Sequence, residues 1–163
     1  MTTQPYDPAR FKDAQRQEWD SVAAGWEKWW ELIEGGAQRV SDRLLELADV
    51  QSGYRVLDVA TGIGEPAVTA AHRVGATGRV VATDQSPQML AIAQERVAGL
   101  GLQNVEFKVM DAEALEFPER SFDAVLCRWG LMFLPDLKAA LSGMWRSLTP
   151  GGRMATCVWD VPP

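Results

Sequence analysis

The sequence predicts an α/β protein: a doubly wound, mainly parallel sheet with helices on both faces, preceded by a helical extension. Three observations predict it. After Gly53, short apolar runs alternate with stretches of helical periodicity. The runs are continuously apolar rather than alternating, as strands buried on both faces require. And the length, 163 residues, suits a single core.

The elements follow in order. Residues 10–33 carry Trp19, Trp26, Trp30 and Ile33 at near-helical spacing, so one helix with an aromatic face is expected, broken at Gly35-Gly36. A second helix is expected from Ala37 to Ala48, with Val40, Leu44, Leu45 and Leu47 inward. Arg55–Ala60 reads as the first strand, and a helix opens at Pro66 and runs to Val74. Residues 75–78 form a turn and Arg79–Asp84 the second strand. Ser86 is a good N-cap with Pro87 at the first helical position, and Met89, Leu90, Ala93 and Val97 give that helix an apolar stripe ended by Gly99 and Gly101. Val105–Val109, Phe122–Cys127 and Arg153–Trp159 are the remaining strands, with a helix from Leu137 to Leu148 between the last two. The organisation expected is a helical segment over residues 1–50 and an α/β domain over 51–163.

Composition narrows the function. A net charge of -6 repels a phosphate backbone, which argues against a nucleic-acid partner. The polar start has no apolar signal region, and no run approaches the roughly 18 apolar residues that span a bilayer. Two isolated cysteines, Cys127 and Cys157, fit a reducing, cytoplasmic compartment. With one histidine besides, they predict no metal site.

In a parallel sheet the ligand binds beyond the strand C-termini. The first strand ends there in Asp58-Val59-Ala60-Thr61-Gly62-Ile63-Gly64. Glycines let the backbone approach a ligand, and the helix that follows brings free N–H groups suited to a pyrophosphate or an amino-acid carboxylate. Gly62, Gly64 and Ala67 fit a dinucleotide pattern, with Asp84 placed 20 residues after Gly64, so a nicotinamide-dependent oxidoreductase is one reading. Against it, Asp58 puts a negative charge where a pyrophosphate would lie, and a further acid, Asp111, follows the third strand. No Tyr-x-x-x-Lys pair is present, and neither tyrosine, Tyr6 or Tyr54, lies near the sheet edge in sequence.

The ordered segments VLDVATGIGEPA (56–67), VVATDQSPQML (80–90), FKVMDAEAL (107–115), FDAVLCRWGLMFLPD (122–136) and LTPGG (148–152) resemble the class I S-adenosylmethionine-dependent methyltransferases. Within them the chain looks most like the small-molecule branch related to ubiquinone and menaquinone C-methyltransferases. The resemblance implies a Rossmann-like fold, S-adenosyl-L-methionine as cofactor and a small-molecule acceptor. It implies that the loop of Ala60, Thr61, Gly62 and Gly64 passes under the methionine part, and that Asp58 helps hold its ammonium group. Asp84 would accept from both ribose hydroxyls, with Gln85 and Met89 lining the adenosine site. Asp111 would accept from the adenine amino group, Ala112 would offer a backbone N–H to the ring, and Arg128 would border the methionine end mainly through its backbone. Ala60-Thr61 stands where the family often has Gly-Cys.

Other residues read as structural. His72 is expected on a surface, Cys127 and Cys157 as inert thiols, and Glu113, Glu116 and Glu119 as a solvated acidic loop. Most tryptophans of the first helix are expected in the core, with one or two touching the cofactor as a lid. No residue stands out as a general base. The chain ends after the fifth strand, where the family continues with a helix and a strand pair. A fragment, or a cofactor-binding module without catalysis, is therefore a further reading. The strand edge at 153–159 is then expected to be unpaired and to favour self-association.

Overall fold

The computed structural model describes residues 7–160; Tyr6 therefore lies outside the described residues. Its centre is a five-stranded sheet of order β3-β2-β1-β4-β5, with every ladder parallel. The strands are β1 (Arg55–Val59), β2 (Arg79–Asp84), β3 (Val105–Val109), β4 (Phe122–Arg128) and β5 (Leu148–Cys157). The order reverses direction at β1, and β1 and β4 lie side by side, which opens a crevice between the loops that follow them.

The helices are α1 (Pro8–Lys28), α2 (Trp30–Leu47), α3 (Ala67–Val74), α4 (Pro87–Gly99) and α5 (Leu137–Ser147). One face of the sheet is covered by α2 and α3: Leu44, Leu45, Ala67, Ala71 and Val74 pack on Val56, Val80, Ala124 and Leu126. Complete burial of Leu45 alone contributes about 1.5–3 kcal/mol. On the other face Ala140 and Met144 of α5, with Leu115, cover Leu57, Val59, Val125 and Cys127. The Rossmann-like, doubly wound architecture expected from the sequence is the one observed.

Local signals placed several elements to the residue. Ser86 caps α4, its hydroxyl accepting from the Met89 N–H at 3.1 Å. β2 and β3 have the expected limits.

β1, α3, β4 and α5 each differ by one residue at one end, and two boundaries differ by more. The break in the N-terminal helices falls at Trp29, not at Gly35-Gly36, which lie inside α2. Each interior glycine costs about 1 kcal/mol relative to alanine. Both are exposed, however, while Ala37, Ser41, Leu44 and Leu45 on the opposite side are buried, and that packing outweighs the cost. β5 begins at Leu148 and ends at Cys157, not Arg153–Trp159. Leu148 already pairs with Phe122, and a register shift follows before Arg153 meets Ala124. Trp159 leaves the strand and stacks on Trp129, ring centroids 4.8 Å apart.

Candidate functional site

Beyond the C-terminal ends of β1, β2 and β4 lies a cleft of about 1010 Å³, open mouth included. Its floor is the sheet edge and its roof is α1 with the start of α2. Of the eleven expected site residues, Ala60, Thr61, Gly62, Asp84, Gln85, Met89, Asp111, Ala112 and Arg128 line it. Asp58 and Gly64 do not.

The loop after β1 is built by three left-handed residues: Ala60 at φ 58°, Gly62 at φ 56° and Gly64 at φ 104°. Ala60 adopts this conformation at some strain, since only glycine does so freely. Gly130 is what accommodates it: a Cβ there would lie 2.5 Å from that of Ala60 and 2.9 Å from the Cys127 sulfur. The loops after β1 and β4 therefore interlock, and no side chain fits between them.

Several of the loop's N–H groups already have partners within the chain. Thr61 donates to the Thr83 carbonyl at 2.9 Å, and Gly64 and Glu65 donate to the Thr61 carbonyl. Gly62 donates to Asp84 Oδ2 at 2.8 Å, while Asp84 Oδ1 accepts from the Ser86 N–H at 2.9 Å. The Asp84 carboxylate thus lines the cleft and also fastens the loop to α4. Burial pushes its pKa up, opposed by the N–H groups of Ser86, Gly62 and Gln85.

Asp58 lies beneath the loop, wholly out of solvent. Neither of its oxygens has a hydrogen-bond partner among the described residues. Burial pushes its carboxyl up to about 7; the neighbouring Thr61 hydroxyl and Ala67 N–H, short of hydrogen-bond geometry, and the charge of Arg128 only partly oppose this. Asp58 is not among the residues that line the cleft.

Arg128, at the end of β4, lines the cleft as expected by position. It acts through its side chain: Nη1 donates to Glu34 Oε2 and to Ser41 Oγ, each at 3.0 Å, and Nη2 donates to Glu34 Oε1 at 2.5 Å. The pair is buried, at 6% and 9% side-chain exposure, and ties α2 to the end of β4. Nearby, Arg96 stacks on the Trp30 ring and donates to the Ile63 carbonyl.

At the other end, Lys12 of α1 reaches Asp111 Oδ2 at 2.5 Å and Glu113 Oε2 at 2.9 Å. Glu113 is not a solvated loop residue: its other oxygen accepts from the Asp136 N–H at 2.8 Å. Glu116 and Glu119 are exposed. Trp19, Trp26 and Trp30 all line the cleft, and Trp19 meets Phe133 edge-on at 5.2 Å. His72 is exposed, Cys127 is buried with its thiol pushed up to about 12, and Cys157 is half-buried; both thiols are free.

Sequence reasoning missed Lys12, Gln15, Glu34, Glu65 and Trp129 as cleft residues. The helical spacing of Trp19, Trp26 and Trp30 was a visible signal for an aromatic wall. Nothing local marked the others. Among the described residues no cluster of three or more His, Cys, Asp or Glu is arranged for a metal ion, and no helix is long and apolar enough to cross a membrane.

Residues 56–152 match the family of methyltransferase domains. A ubiquinone/menaquinone biosynthesis C-methyltransferase, UbiE of Pseudomonas fluorescens, is 40% identical over 144 residues, 87% of this chain and 56% of that protein. The chain thus spans about half the length of the curated relatives it matches. A SAM-dependent methyltransferase from Aquifex aeolicus has the same fold, with a TM-score of 0.71 and 23% identity over 97% of this chain and 79% of that one. The [4+2]-cyclase SpnF is 30% identical with a TM-score of 0.68, over 74% of this chain and 44% of that one.

Proposed function

The chain belongs to the class I S-adenosylmethionine-dependent methyltransferases, and from that premise we propose that its cleft binds S-adenosyl-L-methionine for methyl transfer to a small-molecule acceptor. The observation that carries the reading is Asp84. It stands at the end of β2, lines the cleft, and is aimed by two backbone N–H groups. A carboxylate held so firmly is suited to accept from a pair of ribose hydroxyls.

The residues present fit the cofactor. Gln85 and Met89 flank Asp84, and Asp111 and Ala112 stand at the next strand end for the adenine. The loop Ala60–Gly64 would run under the methionine part. When bound, the cofactor supplies a methyl group already activated by its sulfonium, so transfer is an in-line displacement. The chain's part is to position and to exclude water. Trp19, Trp26, Trp30 and Phe133 form an apolar wall over the cleft, which suits a small apolar acceptor. The net charge of -6 favours such an acceptor over nucleic acid.

The nicotinamide reading is weakened by the loop itself. The N–H of Gly62, which a pyrophosphate would need, is already taken by Asp84. A module that binds cofactor without methyl transfer is the second reading, favoured by the likeness to a cyclase.

Further proposals rest on single features. Residues 1–50 would act as a lid-forming segment and 51–163 as the cofactor domain, since α1 and α2 roof the cleft. Two free thiols favour a cytoplasmic location. Among the described residues β5 pairs only with β4, so its outer edge favours self-association.

Calorimetry with S-adenosylhomocysteine and NADH tests the central reading. The wild type should bind the former and not the latter. Asp84→Ala should weaken S-adenosylhomocysteine at least about a hundredfold, from two charge-assisted hydrogen bonds of about 1.5–3 kcal/mol each. It should also cost about 1–3 kcal/mol of stability for each N–H left unpaired. Tight NADH binding with no S-adenosylhomocysteine binding would reverse the assignment.

A further inference from the structure

Polar side chains fasten α1 over the cleft at two points. In mid-helix, Asp20 Oδ1 accepts from the Ser86 hydroxyl at 2.6 Å and from the Gln88 N–H at 3.4 Å, at the N-terminus of α4. Near the helix start, Lys12 donates to Asp111 Oδ2 at 2.5 Å and to Glu113 Oε2 at 2.9 Å. The two points differ in place. Asp20 does not line the cleft, whereas Lys12 and Asp111 both do.

The contact at Asp111 therefore falls on the carboxylate assigned above to the base of the cofactor. Asp111 Oδ1 already accepts from the Glu113 N–H at 2.9 Å, and Lys12 holds Oδ2. An amino group arriving at Asp111 would meet a charged ammonium on the oxygen it needs. That ion pair is weak enough to yield: its side chains are 29% and 35% exposed, and pairs so exposed contribute little. Glu113 offers the ammonium a second place. Its side chain is only 9% exposed, and its Oε1 is fixed by the Asp136 N–H at 2.8 Å. Hydrogen bonds to Asp111 and then to Glu113 raise the pKa of Lys12, so it stays charged and needs an acid wherever it goes.

Resting on the cofactor reading above, we infer that Lys12 is a built-in competitor: its ammonium and the adenine amino group contend for Asp111 Oδ2, and Lys12 passes wholly to Glu113 as the base binds. α1 need not leave the cleft for this exchange, because Asp20 keeps its hold on α4. The exchange sets a cost on recognition of the amino group. The wild type therefore distinguishes adenine from a purine lacking that group less sharply than Asp111 alone would.

The test compares S-adenosylhomocysteine with its 6-deamino analogue, in which hydrogen replaces the amino group of the base. Both are titrated calorimetrically into the full chain and into Lys12→Met and Glu113→Gln. Methionine keeps most of the lysine stem on the helix, and glutamine keeps an oxygen for the Asp136 N–H, so both thermal midpoints should stay near that of the wild type. Lys12→Met should tighten S-adenosylhomocysteine about three- to fivefold, the worth of an exposed ion pair, and leave the analogue within about 1.5-fold. Glu113→Gln removes the charge that receives Lys12, and should weaken S-adenosylhomocysteine about threefold while again sparing the analogue. A Lys12→Met variant that binds S-adenosylhomocysteine no tighter than the wild type would overturn the inference. So would an equal gain for both ligands, which would mark a loosened helix rather than a displaced competitor. A wild type that binds neither ligand would instead overturn the cofactor reading, and this inference with it.

Discussion

Replacing Glu34 by alanine should be among the most damaging single changes in this fold outside the hydrophobic core. The pair it makes with Arg128 is bidentate and buried, at 9% and 6% side-chain exposure. Removing one partner of a buried pair leaves an uncompensated charge and costs about 3–5 kcal/mol. Ser41 alone would remain to the guanidinium as a hydrogen-bond partner. Against a typical total stability of about 5–15 kcal/mol, that is a large fraction. At an m-value of about 2 kcal/mol/M, the urea midpoint should fall by about 2 M. Two controls sharpen the measurement. Arg43→Ala breaks an exposed pair with Glu46, at 65% and 56% exposure, and should cost under about 0.5 kcal/mol. The double variant Glu34→Leu with Arg128→Met removes both charges and should recover most of the loss, because apolar replacement of a buried pair is often close to neutral. The assay is urea denaturation followed by tryptophan fluorescence. A midpoint for Glu34→Ala within about 0.3 M of the wild type would show that the charge is not buried in solution, and would refute the reasoning.

Two further outcomes follow from other features. Asp58 titrates at about 7 in the folded protein against an ordinary 3.8, so the folded state binds the extra proton between those values. Its contribution to stability is present at low pH, is lost as the pH rises from about 4 to 7, and is level above. The midpoint of Asp58→Asn should therefore exceed that of the wild type at pH 8 and approach it near pH 4, by thermal denaturation; parallel pH profiles would count against a buried carboxyl. At the outer edge of β5, Thr156→Lys should shift any self-association toward monomer in sedimentation, because a charge blunts an open strand edge. A wild type that is monomeric at high concentration would remove the edge proposal.

Much of this protein was legible in its sequence because the relevant forces are local. Turn chemistry and period placed β2, β3 and the cap of α4, since Ser86-Pro87 and an apolar stripe act within one or two turns. The parallel sheet followed from continuous apolar strands, and its topology then put Asp84, Asp111 and the glycine loop at one edge. What tertiary structure alone decided is which charged side chain meets which. Arg128 and Glu34 are 94 residues apart, and Lys12 and Asp111 are 99 apart. Such partners are chosen by how α1 and α2 dock over the sheet, and no periodicity encodes that. The same docking carried α2 through two glycines and set its break at Trp29, because burial of one face outweighs a propensity cost of about 1 kcal/mol per glycine. It also separated Asp58 from Glu65. Both are acids near one glycine loop in the sequence; the first, inside β1, is wholly out of solvent, and the second, just past the loop, lines the cleft.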